Sequence, residues 1–267
     1  MSKWATLGHS WAHVLYTALL LAVVLLASLG FSGTRVRSSA RPNLAESKPT
    51  VQATQGYINP TFLTSHTMAP FDSSGGDLIV VCASSHDGVR MTPSDSFNNT
   101  WITGAGPTDT TTGFDLRTQV WYSKTPTVGP GHTFSLNLSK LEPLVISLFV
   151  VRGSDVSAPI DAISTIGDDG GSKMPYVVSP NIMTTGKNEL LIGFAKSSVS
   201  ENWISGSDYS AQGAASSNFL DAETQLAATP SSYNSTFALS SSGTWQSVVV
   251  AVRPPTDRSL LRSEQQK

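Results

Sequence analysis

Phe134-Ser135-Leu136-Asn137-Leu138-Ser139 alternates apolar with polar side chains, and shortly after it Ile146-Ser147-Leu148-Phe149-Val150-Val151 is apolar at nearly every position. Successive side chains of an extended strand point to opposite faces, so the first run predicts a strand with one buried and one wetted face. The second has apolar groups on both faces and belongs in the middle of a sheet. Working outward, similar short runs occupy Asp77 to Ser84, Leu116 to Lys124, Glu189 to Ser197, Ser235 to Ser240 and Thr244 to Arg253, separated by clusters of Gly, Pro, Asn, Asp and Ser. Together with His132 to Ser139 and Val145 to Arg152, they predict an all-β body over residues 50–254 with no helix in it.

The runs echo one another. Gly76-Asp77-Leu78-Ile79-Val80 is answered by Asn188-Glu189-Leu190-Leu191-Ile192, and Asn99-Thr100-Trp101-Ile102-Thr103-Gly104 by Glu201-Asn202-Trp203-Ile204-Ser205-Gly206. Phe134-Ser135-Leu136, leading to a strand that ends in Val150-Val151-Arg152, is answered by Phe237-Ala238-Leu239, leading to one that ends in Ala251-Val252-Arg253. The order is the same in both series, which predicts two pseudo-repeated halves. Each half offers about four strong strands, too few to close a core without disulfides. The expectation is therefore a single antiparallel β-sandwich, jelly-roll-like, built from both halves.

Ahead of this body, Val14 to Phe31 is almost continuously apolar, and no Asp, Glu, Lys or Arg falls between Lys3 and Arg35. As a helix it would span roughly 27 Å at about 1.5 Å per residue, close to the thickness of a bilayer core. Residues 1–31 thus predict an N-terminal hydrophobic helix, either a signal peptide cleaved after Gly30 or Ser32 or a transmembrane anchor holding the membrane through residues 14–31. Arg35, Arg37 and Arg41 just beyond it argue for the anchor. Residues 32–49, rich in Ser, Arg, Pro and Ala, read as a flexible linker, and 255–267 as a disordered polar tail. The body is expected outside the cytoplasm, secreted or anchored.

Charged residues make up 13 % of the chain against about 25 % in ordinary soluble domains. The formal net charge is -2, so no basic field exists to hold phosphates and nucleic acid is not an expected partner. The only cysteine, Cys82, lies within an apolar run and behaves there as a small hydrophobe.

Residues that carry chemistry are sparse. Gly-x-Ser-x-Gly is absent, and Ser205-Gly206-Ser207-Asp208 reads as a turn. Asp221-Ala222-Glu223 places two carboxylates on one face of a strand, which reads as a solvated edge sooner than as a glycosidase pair. His66, His86 and His132 lack the spacing of a zinc site. Asp95-Ser96-Phe97-Asn98-Asn99 and Asp168-Asp169-Gly170-Gly171 offer oxygen ligands suited to a hard cation, so calcium held by Asp95 and Asn98 is one reading of the first loop and an Asx-type turn is the other. The strings Asn-x-Ser/Thr at Asn98, Asn137 and Asn234 are about as many as chance supplies. Among the aromatics, Trp121 and Trp245 fall within strands and read as core. Trp101, Trp203 and Tyr209 are the candidates for stacking a ligand, with Tyr209, in a polar loop, expected to be exposed.

The strings Asp95-Ser96-Phe97-Asn98-Asn99-Thr100-Trp101, Val120-Trp121-Tyr122, Val145 to Val151 and Asn188-Glu189-Leu190-Leu191-Ile192 together resemble a group of secreted bacterial β-sandwich modules. The resemblance covers about Thr50 to Pro254 and implies the sandwich fold; the group has no agreed catalytic residues. Where its members often carry Glu-Tyr-Ser-Gly after the central strand, this chain has Arg152-Gly153-Ser154-Asp155. The first functional expectation is a non-catalytic exported module that binds glycan or cell-envelope polymer. Beside it stand a structural or adhesive surface protein making protein–protein contacts, and a glycan-active hydrolase.

Overall fold

The computed structural model describes residues 48–86, 88–109, 116–168, 176–198, 202–213, 219–240 and 244–256. The expected helix at 1–31, the linker up to residue 47 and the tail from 257 onward lie outside the described residues, as do residues 169–171 of the second acidic string. Among the described residues no helix is long and apolar enough to cross a membrane.

The body is all-β and its sheets are antiparallel. The strands of the first half are β1 (Thr50–Thr67), β2 (Leu78–His86), β3 (Met91–Asp95), β4 (Ile102–Asp109), β5 (Leu116–Lys124) and β6 (Phe134–Arg152). Those of the second are β7 (Ile160–Asp168), β8 (Tyr176–Val178), β9 (Ile182–Met183), β10 (Glu189–Ser197), β11 (Ile204–Ser205), β12 (Ser210–Ala211), β13 (Leu220–Ala227), β14 (Ser232–Tyr233), β15 (Thr236–Ala238) and β16 (Trp245–Val252).

Strand order is the same in the two halves. The first half runs β1-β6-β2-β5-β4 with β3 on the far part of β6, and the second runs β7-β16-β10-β13-β12 beside a three-stranded sheet β8-β15-β11. In the first half β1 and β6 run unbroken from the five-stranded path into the smaller group; in the second β15 and β16 are separate strands, and β7 and β8 take the two places corresponding to β1. A small β9-β14 pair is added in the second half.

The two runs quoted at the outset thus belong to one strand. Lys140 to Pro143 interrupts the alternation and reads as a loop, but β6 passes straight through it. Proline lacks an N–H and is tolerated in a sheet where the ladder is already broken. Opposite Pro143, β1 shifts register between Asn59 and Leu63 and again between Leu63 and Ser65. β1 itself, polar and largely exposed along its length, has no periodic apolar run to announce it.

Burial follows the period of two. On β2, Leu78, Val80 and Cys82 point one way, while Ile79, Val81 and Ala83 point the other. The first set, with Val120, Phe149 and Val151, packs against Leu190, Ile192, Phe194, Val248, Val250 and Val252 of the second half, where Phe149 and Phe194 meet edge to face at 5.5 Å. The second set packs under the smaller strand group with Phe134, Leu136 and Leu138. Two further clusters, around Phe237 and around Val249, lie on the far side of the second half's main sheet. Each large side chain buried in these layers contributes about 1.5–3 kcal/mol.

Cys82 lies wholly within the shared layer, and burial pushes its thiol well above the ordinary range. It is expected to stay unlabelled by a thiol reagent in the native protein and to react once denaturant unfolds the chain; native-state labelling at the unfolded rate would contradict this placement.

Candidate functional site

Between the edge of β3 and the face of β4 and β5 opens a cleft of about 350 Å³. Arg117, Gln119 and Trp121 alternate with Thr118 and Val120, so the three project from one face of β5 into it. Arg90 and Met91 at the start of β3, Thr103 of β4, Pro107 and Trp101 complete the wall. Trp121 is buried at its base, whereas Trp101 is half-buried. The Arg117 guanidinium is held by a bond of 3.1 Å to the Val89 carbonyl. Two arginines and an indole among the lining residues are side chains that suit a ligand with both an apolar face and an anionic group.

The setting of Trp101 originates in Asp95. One oxygen of that buried carboxylate accepts the indole Nε1–H at 2.7 Å. The other accepts the backbone N–H groups of Phe97 at 2.8 Å and Asn99 at 3.2 Å, and the Asn99 side-chain amide at 3.3 Å. Asn98 adopts φ 56° to close the turn, a left-handed conformation that Asn tolerates better than most residues. His132 Nε2 stands 3.3 Å from the same oxygen, with its ring between Phe71 and Phe97 and its Nδ1 2.9 Å from the Ser73 hydroxyl. Burial depresses the imidazole's pKa against the opposing pull of Asp95. The indole completes its fixation edge-on to Phe134 at 5.0 Å. Asp95 is therefore occupied in an Asx-type turn that positions Trp101, and among the described residues no group of three His, Cys, Asp or Glu side chains is placed to hold a metal.

The three aromatic candidates do not converge. Trp101 packs on the first half's core, Trp203 on the Phe237 cluster and Tyr209 on the Val249 cluster. Trp101 and Trp203 share a sequence string and a job, each lying edge-on to the corresponding phenylalanine, Phe134 or Phe237. They reach it from opposite sides of the turn, however, because Trp101 leads into β4 and Trp203 into β11, whose counterpart is β3. Tyr209, expected in the open, is half-buried, its hydroxyl donating to the Asn234 carbonyl at 2.8 Å.

The Asp221–Glu223 pair is a second correction. It lies on an interior strand and both residues are buried, not on a solvated edge. Glu223 accepts the N–H of Gly206 at 2.9 Å and of Thr236 at 3.0 Å, which ties the smaller sheet to the larger one, and burial raises its carboxyl to about 7. Ser205 to Asp208 form the turn between β11 and β12. The histidines do not form one cluster: His66 bonds Tyr57 and the Glu142 carbonyl, His86 the carboxylate of the same Glu142, and His132 stands apart beside Asp95. Sequence reasoning missed the arginines of the cleft. Arg90 and Arg117 are 27 positions apart without any motif, and only the pairing of β5 with β4 and of β3 with β6 brings them together.

No protein-family model, curated protein or solved structure matches the chain.

Proposed function

We propose that this chain is a non-catalytic extracytoplasmic module that binds an acidic glycan in the cleft beside Trp101. The fold we infer is a duplicated jelly-roll-like sandwich in which the halves share the central apolar layer. The observation that carries the functional reading is an indole fixed through Asp95 at the wall of a cleft that also presents Arg90 and Arg117. A sugar ring stacks its C–H face on the indole, and a uronate carboxylate is matched by the forked guanidinium donors. Export by the apolar segment at 14–31 agrees with such a substrate. A hydrolase has less support, since the described residues lining the cleft include no Asp or Glu and Glu223 of the Asp221–Glu223 pair is engaged in joining sheets.

One observation favours the second reading, protein–protein contact. On the outer face of β8-β15-β11, Ile204, Ala238 and Tyr176 stand in one row and Val178 in the next, with Ile204 and Tyr176 well exposed. The corresponding face of the first half carries Ser65, Asn137 and Thr92 in register.

Titration calorimetry of the protein with oligogalacturonate and with a neutral cello-oligosaccharide tests the first reading. Saturable binding of the acidic oligomer is expected, about tenfold or more weaker in Arg117→Ala or Arg90→Ala, the loss of about 1.4 kcal/mol that one charge-assisted contact supplies. Chelation of calcium is expected to leave it unchanged, because Asp95 is already engaged by protein donors. Absence of binding to both oligomers, together with self-association that Ile204→Asp abolishes, would move the assignment to the second reading.

A further inference from the structure

Where the layer shared by the two halves ends near Ser84 and Lys196, the apolar packing stops short and leaves a second pocket of about 190 Å³. Its walls are Ile58, Leu116, Leu144 and Val145 from strands of the first half and Phe219, which immediately precedes β13. Lys196 shares the inward face of β10 with Phe194 and Ile192, and it also lines this pocket. The lysine side chain is almost wholly buried, its Nζ 5.2 Å over the Phe219 ring and bonded to the Ser197 carbonyl. Burial, the sole cause acting on it, lowers its pKa to about 8. Ser84, also lining the pocket, is 1 % exposed, and its Oγ has no hydrogen-bond partner among the described residues.

A buried cation and an orphaned hydroxyl within apolar walls are both costly unless something pairs with them. A carboxylate answers both at once, taking a charge-assisted bond from Nζ and a second from the Ser84 hydroxyl, while a hydrocarbon body fills the walls. The rim continues the apolar character: Ile58 and Phe62 are exposed, and Phe62 lies 6.5 Å from the His86 ring, which is itself held by Glu142 at 2.8 Å. We propose that this pocket binds a short aliphatic carboxylate, its anionic end on Lys196 and Ser84 and its chain running out between Ile58 and Phe219. The site is separate from the cleft beside Trp101 and stands whether or not that cleft binds glycan.

Calorimetric titration of the protein with sodium hexanoate and with hexan-1-ol tests the proposal. Hexanoate is expected to bind at one site, at least tenfold more tightly than the alcohol. Lys196→Met should cancel that preference while leaving hexanol binding within twofold, and Ser84→Ala should weaken hexanoate by a few-fold. A protein that binds the two equally, binds neither, or keeps its preference in Lys196→Met would overturn the assignment. If Lys196→Met does not fold, the native protein decides by NMR of its lysine side chains. Saturating hexanoate must then raise the titration midpoint of one lysine that starts near pH 8, and no movement refutes the site.

Discussion

Replacing Asp95 by alanine is expected to destabilise the protein by about 3–5 kcal/mol, the cost of breaking a buried charged network by removing one partner. The carboxylate is the common acceptor for two backbone N–H groups, the Asn99 amide and the Trp101 indole, and it faces His132. Its loss strands several part-buried donors together, and a donor left unsatisfied costs up to about 1–3 kcal/mol when fully shielded from water. Asp95→Asn keeps one acceptor oxygen and should fall between the wild type and alanine. Guanidinium unfolding followed by tryptophan fluorescence measures the change, and the native emission of Asp95→Ala should also shift as the indole is released from its anchor. A loss below 1 kcal/mol with unchanged emission would mean that the turn is held by something other than Asp95. The depressed imidazole adds a pH signature. Since the folded value of His132 lies below the unfolded 6.5, the unfolded chain takes up the proton first, so this group's contribution is present above about 6.5 and declines as pH falls through it.

Glu223 gives the opposite signature and the second large effect. Its carboxyl rises from 4.5 to about 7 through burial, so the folded chain retains a proton that the unfolded chain has released. Its stabilising contribution is therefore complete below about 4.5, declines as pH climbs, and is gone above about 7. The displacement corresponds to about 3 kcal/mol between those limits. Glu223→Gln, which imitates the protonated acid, is expected to remove this decline. The difference in unfolding free energy between wild type and variant, measured from pH 4.5 to 8, isolates the group from other titrations. Parallel profiles across that range would show that Glu223 is ionised throughout and that its two backbone donors outweigh its burial.

Much of the fold was legible because the apolar strands announce themselves. The alternation in β2, β6, β10 and β16 places their side chains in the layers where they are found, and the echo of Gly76 to Val80 in Asn188 to Ile192 marks strands with the same neighbours in both halves. The echoed acids do different jobs, since Asp77 accepts the N–H groups of Gly153 and Ser154 at the end of β6 while Glu189 accepts the N–H of Gly186 in the turn just before itself. What escaped notice lacks that periodicity. β1 is polar and exposed, and β11, β12 and β14 are two residues long and exist because a neighbour supplies the ladder. The tryptophan strings misled for a related reason. Local similarity fixed that each indole meets a phenylalanine, but only pairing decides from which side of a turn it arrives. The cleft was half legible, through Trp101 and Asp95, because an Asx-type turn is a local event. Arg90, Arg117, Ser84 and Lys196 gain their meaning from partners far away along the chain, and no local pattern encodes those.

Where the body enters and leaves has a practical consequence. Thr50 is paired with Arg152, and Arg253 donates to the Pro159 carbonyl at 2.8 Å, so the two ends and the joint between the halves gather at one pole. The pocket of Lys196 lies at the other end of β2, about 26 Å away at 3.3 Å per residue. A label placed on Thr50 or Arg253 would therefore sit a strand's length from that pocket.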